Sequence, residues 1–357
     1  MDGRKVFLDS SLVDADASND SVMDREKFLK RWRERYGELE RRFFDWGRDA
    51  TPKSLVSSTD PEASIVRKGA GKARARYAEH RAVDGRAGVI TVTVTTPGAV
   101  NEAHKLSELL DEHHTNTEVS AEMVVADSKY GTVDNFLDLH DRGVRGHIPD
   151  LSIRQKGSNR RKGIFDISEF MYEEATDTYR CPAGEHLGRR KHKGEREAFE
   201  YSAKASICKA CTLREKCTRN KSGARTIKRH VRQRELDQMR EISRSAQATR
   251  DLKVRKHVME GSFADAANNH GFKRSRWRGL EKVTIQDFFI AAVQNIRILI
   301  KRWRKPVGVA QQNRAMGWET AGILSALTRS AHVFAMWLSP KPSLVNLCLV
   351  HAEHLTN

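Results

Sequence analysis

The sequence predicts an α/β protein: a mixed sheet flanked by helices, with a basic cysteine-containing insertion and a helical C-terminal region. Three observations carry this expectation. Through residues 1–150, short β-branched runs alternate with stretches of helical period. Four of the five cysteines fall between Cys181 and Cys217, in a segment without apolar periodicity. From residue 233 onward the apolar residues return at helical spacing. The chain divides accordingly into 1–150, 151–232, 233–305 (helical completion of the core) and a tail, 306–357.

Taken in order, Val6-Phe7-Leu8 reads as a short strand ending at Asp9, followed by a polar stretch to Asp24. Residues 25–46 carry Phe28, Leu29, Trp32, Tyr36, Leu39, Phe43 and Phe44 at helical spacing, and 47–76 are loop-like and basic. Ala82-Val83, the turn signal Asp84-Gly85 and the run Val89–Thr95 form a hairpin signature. A helix is expected over 101–114, with Leu106, Leu109 and Leu110 on one face. Met123–Ala126 is a short apolar strand ending in Asp127. Thr132 can cap a helix that carries Phe136, Leu137 and Leu139 and stops at Gly143. Arg145–Pro149 reads as another strand. Helices are expected over 233–268, 285–304 and 319–337, and no internal repeat is present.

At 357 residues the chain has room for roughly two domains. The apolar runs near 288–300 and 343–350 fall short of the ~20 residues of a membrane span or are broken by charge. The start, Met1-Asp2-Gly3-Arg4-Lys5, lacks the apolar core of a signal peptide. A membrane protein and a secreted one are therefore not expected; a cytoplasmic location is. The net charge of +17 is unevenly placed. Residues 1–150 hold 23 basic and 27 acidic side chains, whereas 151–357 hold 41 and 20. A basic half of this kind fits a polyanion partner, most often nucleic acid, because phosphate contacts release condensed counterions.

Two acids follow apolar strands, Asp9 and Asp127, and a third, Glu260, lies in the helical segment Val258–Phe263. Carboxylates at the carboxyl edge of an α/β sheet sit where sites are usually built. Together such acids can hold Mg²⁺, which takes oxygen ligands, and two ions can clamp the attacking and leaving oxygens of a phosphate. The alternative is that these acids only cap strands and helices. Asp14 and Asp16 read as solvated loop acids, and Asp60 and Asp84 as turn residues. Lys129 and Tyr130 read either as DNA-facing or as packing residues.

The wording of these segments is more specific than their spacing. Val6-Phe7-Leu8-Asp9-Ser10-Ser11-Leu12-Val13-Asp14 resembles the first catalytic block of DDE transposases from bacterial insertion sequences. Val124-Val125-Ala126-Asp127-Ser128-Lys129-Tyr130-Gly131 resembles the second, and Lys256-His257-Val258-Met259-Glu260-Gly261-Ser262-Phe263 the third. Further family-like blocks are Thr59–Ala63, Tyr179–Gly184, His270–Leu280 and Gln294-Asn295-Ile296, so the resemblance covers most of residues 6–305. It implies an RNase H-like catalytic core with Asp9, Asp127 and Glu260 as the metal-binding triad. The cofactor implied is a pair of Mg²⁺ ions, with Mn²⁺ as a substitute. The implied chemistry is cleavage of DNA at element ends by water, then attack of the freed 3′-hydroxyl on target DNA. The implied partner is DNA, a homodimer is compatible with it, and the location is nucleoid-associated.

Two departures stand out. Seven positions after Glu260, where the family often places a phosphate-contacting basic residue, this chain has Ala267; Lys273 and Arg274 are the basic residues nearby. Members also carry a helical region ahead of the first aspartate, whereas only eight residues precede Asp9, so N-terminal truncation is expected. The alternative function is a catalytically decayed remnant that only binds DNA.

Cys208-x2-Cys211 has the pair spacing of a zinc knuckle, with Cys217 and Cys181 nearby and His186 and His192 as substitutes. Four thiolates could close a structural Zn²⁺ site; reduced cysteines in a small apolar cluster are the equal alternative. Cys348 reads as a buried thiol. Residues 189–234 carry 16 basic against 4 acidic side chains, and 250–305 carry 14 against 5. Lys273, Arg274, Arg276 and Arg278 surround Trp277 in a loop suited to track a DNA backbone. Lys301, Arg302, Arg304 and Lys305 form a basic helix end.

Overall fold

The computed structural model describes residues 1–35, 55–150, 163–194, 197–220 and 223–303. The chain runs β1 (Lys5–Asp14), β2 (Val22–Asp24), α1 (Arg25–Arg35), β3 (Leu55–Ser57), β4 (Ser64–Val66), β5 (Arg74–Asp84), β6 (Ile90–Pro97), α2 (Leu106–Thr117), β7 (Met123–Val125), α3 (Val133–Asp141) and β8 (Arg145–His147). It continues through β9 (Met171–Glu173), β10 (Thr178–Arg180), β11 (His186–Lys193), β12 (Ala198–Ser202), α4 (Ala205–Ala210), α5 (Arg214–Cys217) and β13 (Thr226–His230). Three longer helices follow: α6 (Gln233–Arg244), α7 (Ala246–His270) and α8 (Leu280–Trp303).

The first sheet has the order β4-β5-β1-β7-β8, with β6 also paired to β5. β1, β7 and β8 are parallel, and β5 is antiparallel to β1, β4 and β6. This mixed sheet flanked by helices is compatible with an RNase H-like arrangement. Alternation along β1 decides which side chain meets which layer. Val6 and Leu8 join Val124, Leu106, Leu109, Phe136, Leu139, Leu236 and Met239 on the face covered by α2, α3 and α6. Phe7 joins Val125, Met259, Phe263 and Ile290 on the face covered by α7 and α8. Asp9 shares the parity of Phe7 and so belongs to the α7 side.

β1 runs five residues past its expected end at Asp9, because antiparallel pairing with β5 carries it to Asp14, opposite Arg76. The predicted hairpin is β5–β6. Asp84 holds its turn together by accepting the backbone N–H of Gly3 at 2.7 Å and of Ala87 at 2.5 Å. The expected helix over 101–114 begins as a 3-10 turn, Glu102–Lys105, capped by the Asn101 side chain, before α2 proper. Thr132 caps α3 through the Asn135 N–H. The helix expected over 233–268 is two, because Ser245 breaks from α6 and caps α7 through the Ala248 N–H. Of the helix expected over 25–46, residues past Arg35 lie outside the described residues, as do the 319–337 helix, Arg304, Lys305 and Cys348.

The segment without apolar periodicity carries a second, five-stranded antiparallel sheet of order β13-β12-β11-β10-β9. Phe170, Tyr179, Leu187, Tyr201 and Ile227 form its core. By length and composition alone, α8 is long and apolar enough to cross a membrane. In this structure it packs Val283, Ile290 and Ala291 into the core and leaves Phe289, Val293, Ile296, Ile300 and Trp303 exposed.

Candidate metal centre

Parallel pairing of β1 with β7 ends at Phe7 opposite Val125. Asp9 and Asp127 each lie two residues beyond, so the two carboxylates sit side by side just past the parallel pairing, Asp127 after the end of β7 and Asp9 midway along β1. Asp127 caps the 3-10 turn Ser128–Tyr130, its Oδ1 accepting the Lys129 N–H at 2.8 Å. Gly131 closes that turn under the next strand's exit: a Cβ there would lie 2.4 Å from the Pro149 carbonyl oxygen. The turn that holds Asp127 therefore requires glycine at 131.

A third acid joins them. Glu102, buried in the 3-10 turn ahead of α2, places a carboxylate oxygen in a group with Asp9 and Asp127 whose members all lie within 4.8 Å of one another. Ser10 donates its hydroxyl to Glu102, and the Lys129 ammonium pairs with the same carboxylate. Arg255 reaches in from α7, donating Nε–H to the Leu8 carbonyl at 2.9 Å and placing a terminal nitrogen 2.9 Å from Asp9 Oδ2. The other Asp9 oxygen accepts the Ser10 N–H at 2.9 Å.

The electrostatics follow from this crowding. Desolvation by burial pushes the Asp9 carboxyl up to about 6; Arg255 and the Ser10 N–H oppose the rise, and Asp127 and Glu102 add to it. Lys129 is held above its ordinary value, first by its bond to Glu102. Tyr130 is fully buried with no partner for its hydroxyl among the described residues, and burial followed by the charges of Glu102, Asp9 and Asp127 raises it well above the phenol range. Three carboxylates thus face two cations, Arg255 and Lys129, which leaves net negative charge when all three are ionised. That donor set, all oxygen and short of positive charge, fits a divalent cation.

Of the three acids expected from sequence, the structure brings Asp9 and Asp127 together. Glu260 is exposed on α7, one residue past the buried Met259, and is not part of the close group. Glu102 and Arg255 were not expected. Glu102 sat at the start of a predicted helix, where an acid reads as a partner of the helix dipole. Arg255 was one of many basic residues in its segment. The Lys129 ammonium pairs with Glu102 while its side chain stays 63% exposed, and Tyr130 is a core residue.

The basic loop after α7 docks along the rest of β1. The Asp14 N–H donates to the Lys273 carbonyl at 2.9 Å, and the Ser275 N–H donates to the Asp14 carbonyl at 2.8 Å. Lys273 Nζ reaches Ser11 Oγ at 3.1 Å. Arg274 and Arg278 pair with Asp16 at 3.2 and 3.1 Å, while their side chains stay 70% and 57% exposed. Asp16 is thus a tether rather than a solvated acid, and Asp14 likewise pairs with Arg74 and Arg76. Arg276 is fixed through its backbone N–H, which donates to Gln286 Oε1 at 2.8 Å. The block Thr59–Ala63 braces the loop from behind: Asp60 accepts the Gly279 N–H and the Tyr77 hydroxyl, and Glu62 accepts the Leu280 N–H at the start of α8.

Comparison with known proteins gives one family. A family model described as a transposase DDE domain matches residues 180–300, from β10 through Glu260 and the basic loop into α8. Asp9 and Asp127 precede the matched span. No curated protein matches the chain. Over that span the match supports a likeness to a transposase DDE domain.

Proposed function

We propose that the protein is a DNA transposase of the bacterial insertion-sequence type, cutting and joining DNA by metal-dependent phosphoryl transfer. The observation that carries this reading is the convergence of Asp9 and Asp127 just past the parallel pairing of β1 and β7, with a loop of exposed arginines docked further along β1, at Asp14 and Asp16. Asp9 and Asp127 are the proposed ligands of Mg²⁺ or Mn²⁺. Glu260 is the proposed third acid from the sequence resemblance, and Glu102 is the third by proximity. A cation held there would activate water and offset charge developing on the phosphate oxygens. The chain's own residues hold the reacting groups in place. Arg255 and the Ser10 N–H fix both oxygens of Asp9, and the Ser128–Tyr130 turn fixes Asp127. Lys273, Arg274, Arg276 and Arg278 are the proposed contacts to the DNA backbone, since positioning supplies much of the rate in phosphoryl transfer. The insertion 151–232 and the helical segment 233–305 are proposed as parts of one catalytic unit.

The test is strand cleavage and strand transfer on DNA carrying the ends of the element that encodes this chain. Asp127→Ala is expected to abolish both. Unchanged products from Asp127→Ala would refute the catalytic reading, and DNA binding without any cleavage by the unmutated chain would favour a remnant that only binds. The third ligand is read from the same assay. If Glu260 completes the site, Glu260→Gln abolishes activity, while Glu102→Gln costs ~10–100-fold, as for residues that orient metal ligands. The reverse order would assign the role to Glu102.

A further inference from the structure

We propose that Cys181, Cys208, Cys211 and Cys217 form a tetrathiolate zinc site that fastens helices α4 and α5 to the second sheet. All four are free thiols, each half-buried. They come from separate places in the chain: the turn after β10, α4, the link between the helices, and the end of α5. Yet all four line one cavity of about 40 Å³. That is room for an ion, since a single water needs only ~10–15 Å³ on the same measure.

Three features favour a metal over a plain apolar cluster. The first is how little apolar surface α4 and α5 bury; besides hydrogen bonds such as Phe165 N–H to the Lys216 carbonyl at 2.7 Å, their hold on the sheet is slight. α4 has six residues and α5 four, and neither buries a single side chain fully. Helices this short do not persist on their own. Their half-buried contacts with the sheet's core include Cys208 and Cys217, packed alongside Phe165 and Cys181. The second is the size of that core, which among the described residues has six buried apolar residues. Sheets with so little apolar content are commonly stapled by a disulfide or a metal. The third is charge. Zn²⁺ with four thiolates carries a net charge of −2, and two guanidinium groups, Arg214 and Arg225, line the same cavity. Arg214 donates to the Cys208 carbonyl at 2.9 Å, and Arg225 to the Cys217 carbonyl at 3.0 Å. Both are therefore held where they can offset it.

The backbone around Cys181 is shaped for this role. The Gly184 N–H donates to the Cys181 carbonyl at 2.8 Å in a tight Cys-Pro-Ala-Gly turn, with Gly184 at φ +83°. The sulfurs are more open here than a closed site requires. With Zn–S of about 2.3 Å, tetrahedral sulfurs approach to roughly 3.8 Å, and no three of these thiols are within 4.8 Å of one another. Binding would draw α4 and α5 inward and release the four S–H protons, which couples metal affinity to the folding of this segment. His186 does not line the cavity; it pairs with Glu173 at 3.6 Å.

The test uses the full chain purified without chelator. Elemental analysis is expected to find one zinc per chain, retained after a dialysis that removes Mg²⁺. Replacement by Co²⁺ is expected to produce a thiolate-to-cobalt charge-transfer band, a signature that the carboxylates of the Asp9 site cannot give. A Cys208→Ser, Cys211→Ser double variant is expected to lose both the metal and the band. Should that variant fail to fold, thiol titration of the unmutated chain decides: four cysteines react only after a strong chelator is added. Zinc-free protein with every thiol reactive from the start would overturn the proposal. So would a cobalt form without the charge-transfer band, or zinc retained in the double variant. None of these outcomes bears on cleavage at Asp9 and Asp127, so the two readings fail separately.

Discussion

Ionised Asp9 is an uncomfortable group in this fold, and its discomfort is measurable. Its folded pKa, about 6, lies above its ordinary value of 3.8, so the folded chain holds the proton more tightly than the unfolded one. In metal-free protein, ionisation of Asp9 therefore opposes folding above about pH 6, and that penalty fades as the pH falls toward 4. A cation binds only the carboxylate. Apparent Mg²⁺ affinity is expected to rise about tenfold per pH unit up to roughly pH 6 and then level off. Calorimetric titration across that range checks it, and a profile flat down to pH 4 would mean that Asp9 does not bind the ion. Asp9 and Asp127 were legible in sequence because each carboxylate follows a short apolar run, which for Asp127 marks the exit of β7 and for Asp9 the end of the parallel pairing rather than of β1. Glu102 was not legible: its approach to the pair depends on how the 3-10 turn enters α2, and no periodicity reports that. Glu260 was legible only through family wording, and the geometry leaves its side chain exposed.

At the scale of elements, one buried network sets α7 and α8 against the sheet. Arg81 on β5 lies directly opposite Asp9 on β1 and is fully buried. It donates to Glu79 at 2.8–3.0 Å, to Ser262 on α7 at 2.7 Å and to Gln294 on α8 at 3.0 Å. Its guanidinium also sits 4.7 Å from the Phe263 ring and 5.7 Å from that of Phe272. Nearby Asp287, buried on α8, is pushed well above the carboxylate range by burial and by Glu79. Arg81→Met would leave Glu79 buried without its counter-charge, at an expected cost of ~3–5 kcal/mol. Chemical denaturation checks this, and adding Glu79→Gln should recover part of the loss. A single variant as stable as the unmutated chain would show that the network does not hold the helices in place. The hairpin that carries Arg81 was readable, because the turn signal Asp84-Gly85 lies between Ala82-Val83 and the β-branched run Val89–Thr95. The five strands of the second sheet were not. Three to eight residues long and mostly polar, as in His186–Lys193, they give neither alternation nor an apolar run.

Across the whole molecule, the separation of charge matches the division of labour proposed for it. The acids Asp9, Glu102 and Asp127 lie in the half of net charge −4, while the basic loop comes from the half of net charge +21. Docking of residues 273–278 against β1 brings the two together, with Asp16 holding both Arg274 and Arg278 while leaving them exposed. Binding of a DNA backbone there competes with Asp16 and releases counterions. The logarithm of affinity is expected to fall linearly with that of salt concentration, with a slope of about −0.9 per phosphate neutralised. Arg274→Ala with Arg278→Ala should therefore reduce the slope by about 2. Asp16→Asn should tighten binding, because the two guanidinium groups no longer pay an exchange of partners. Asp127→Asn should leave the slope unchanged. Binding isotherms at several salt concentrations test all three variants against one duplex. An unaltered slope in the double arginine variant would place the DNA on another face, and the match between the acid pair and the basic loop would lose its meaning.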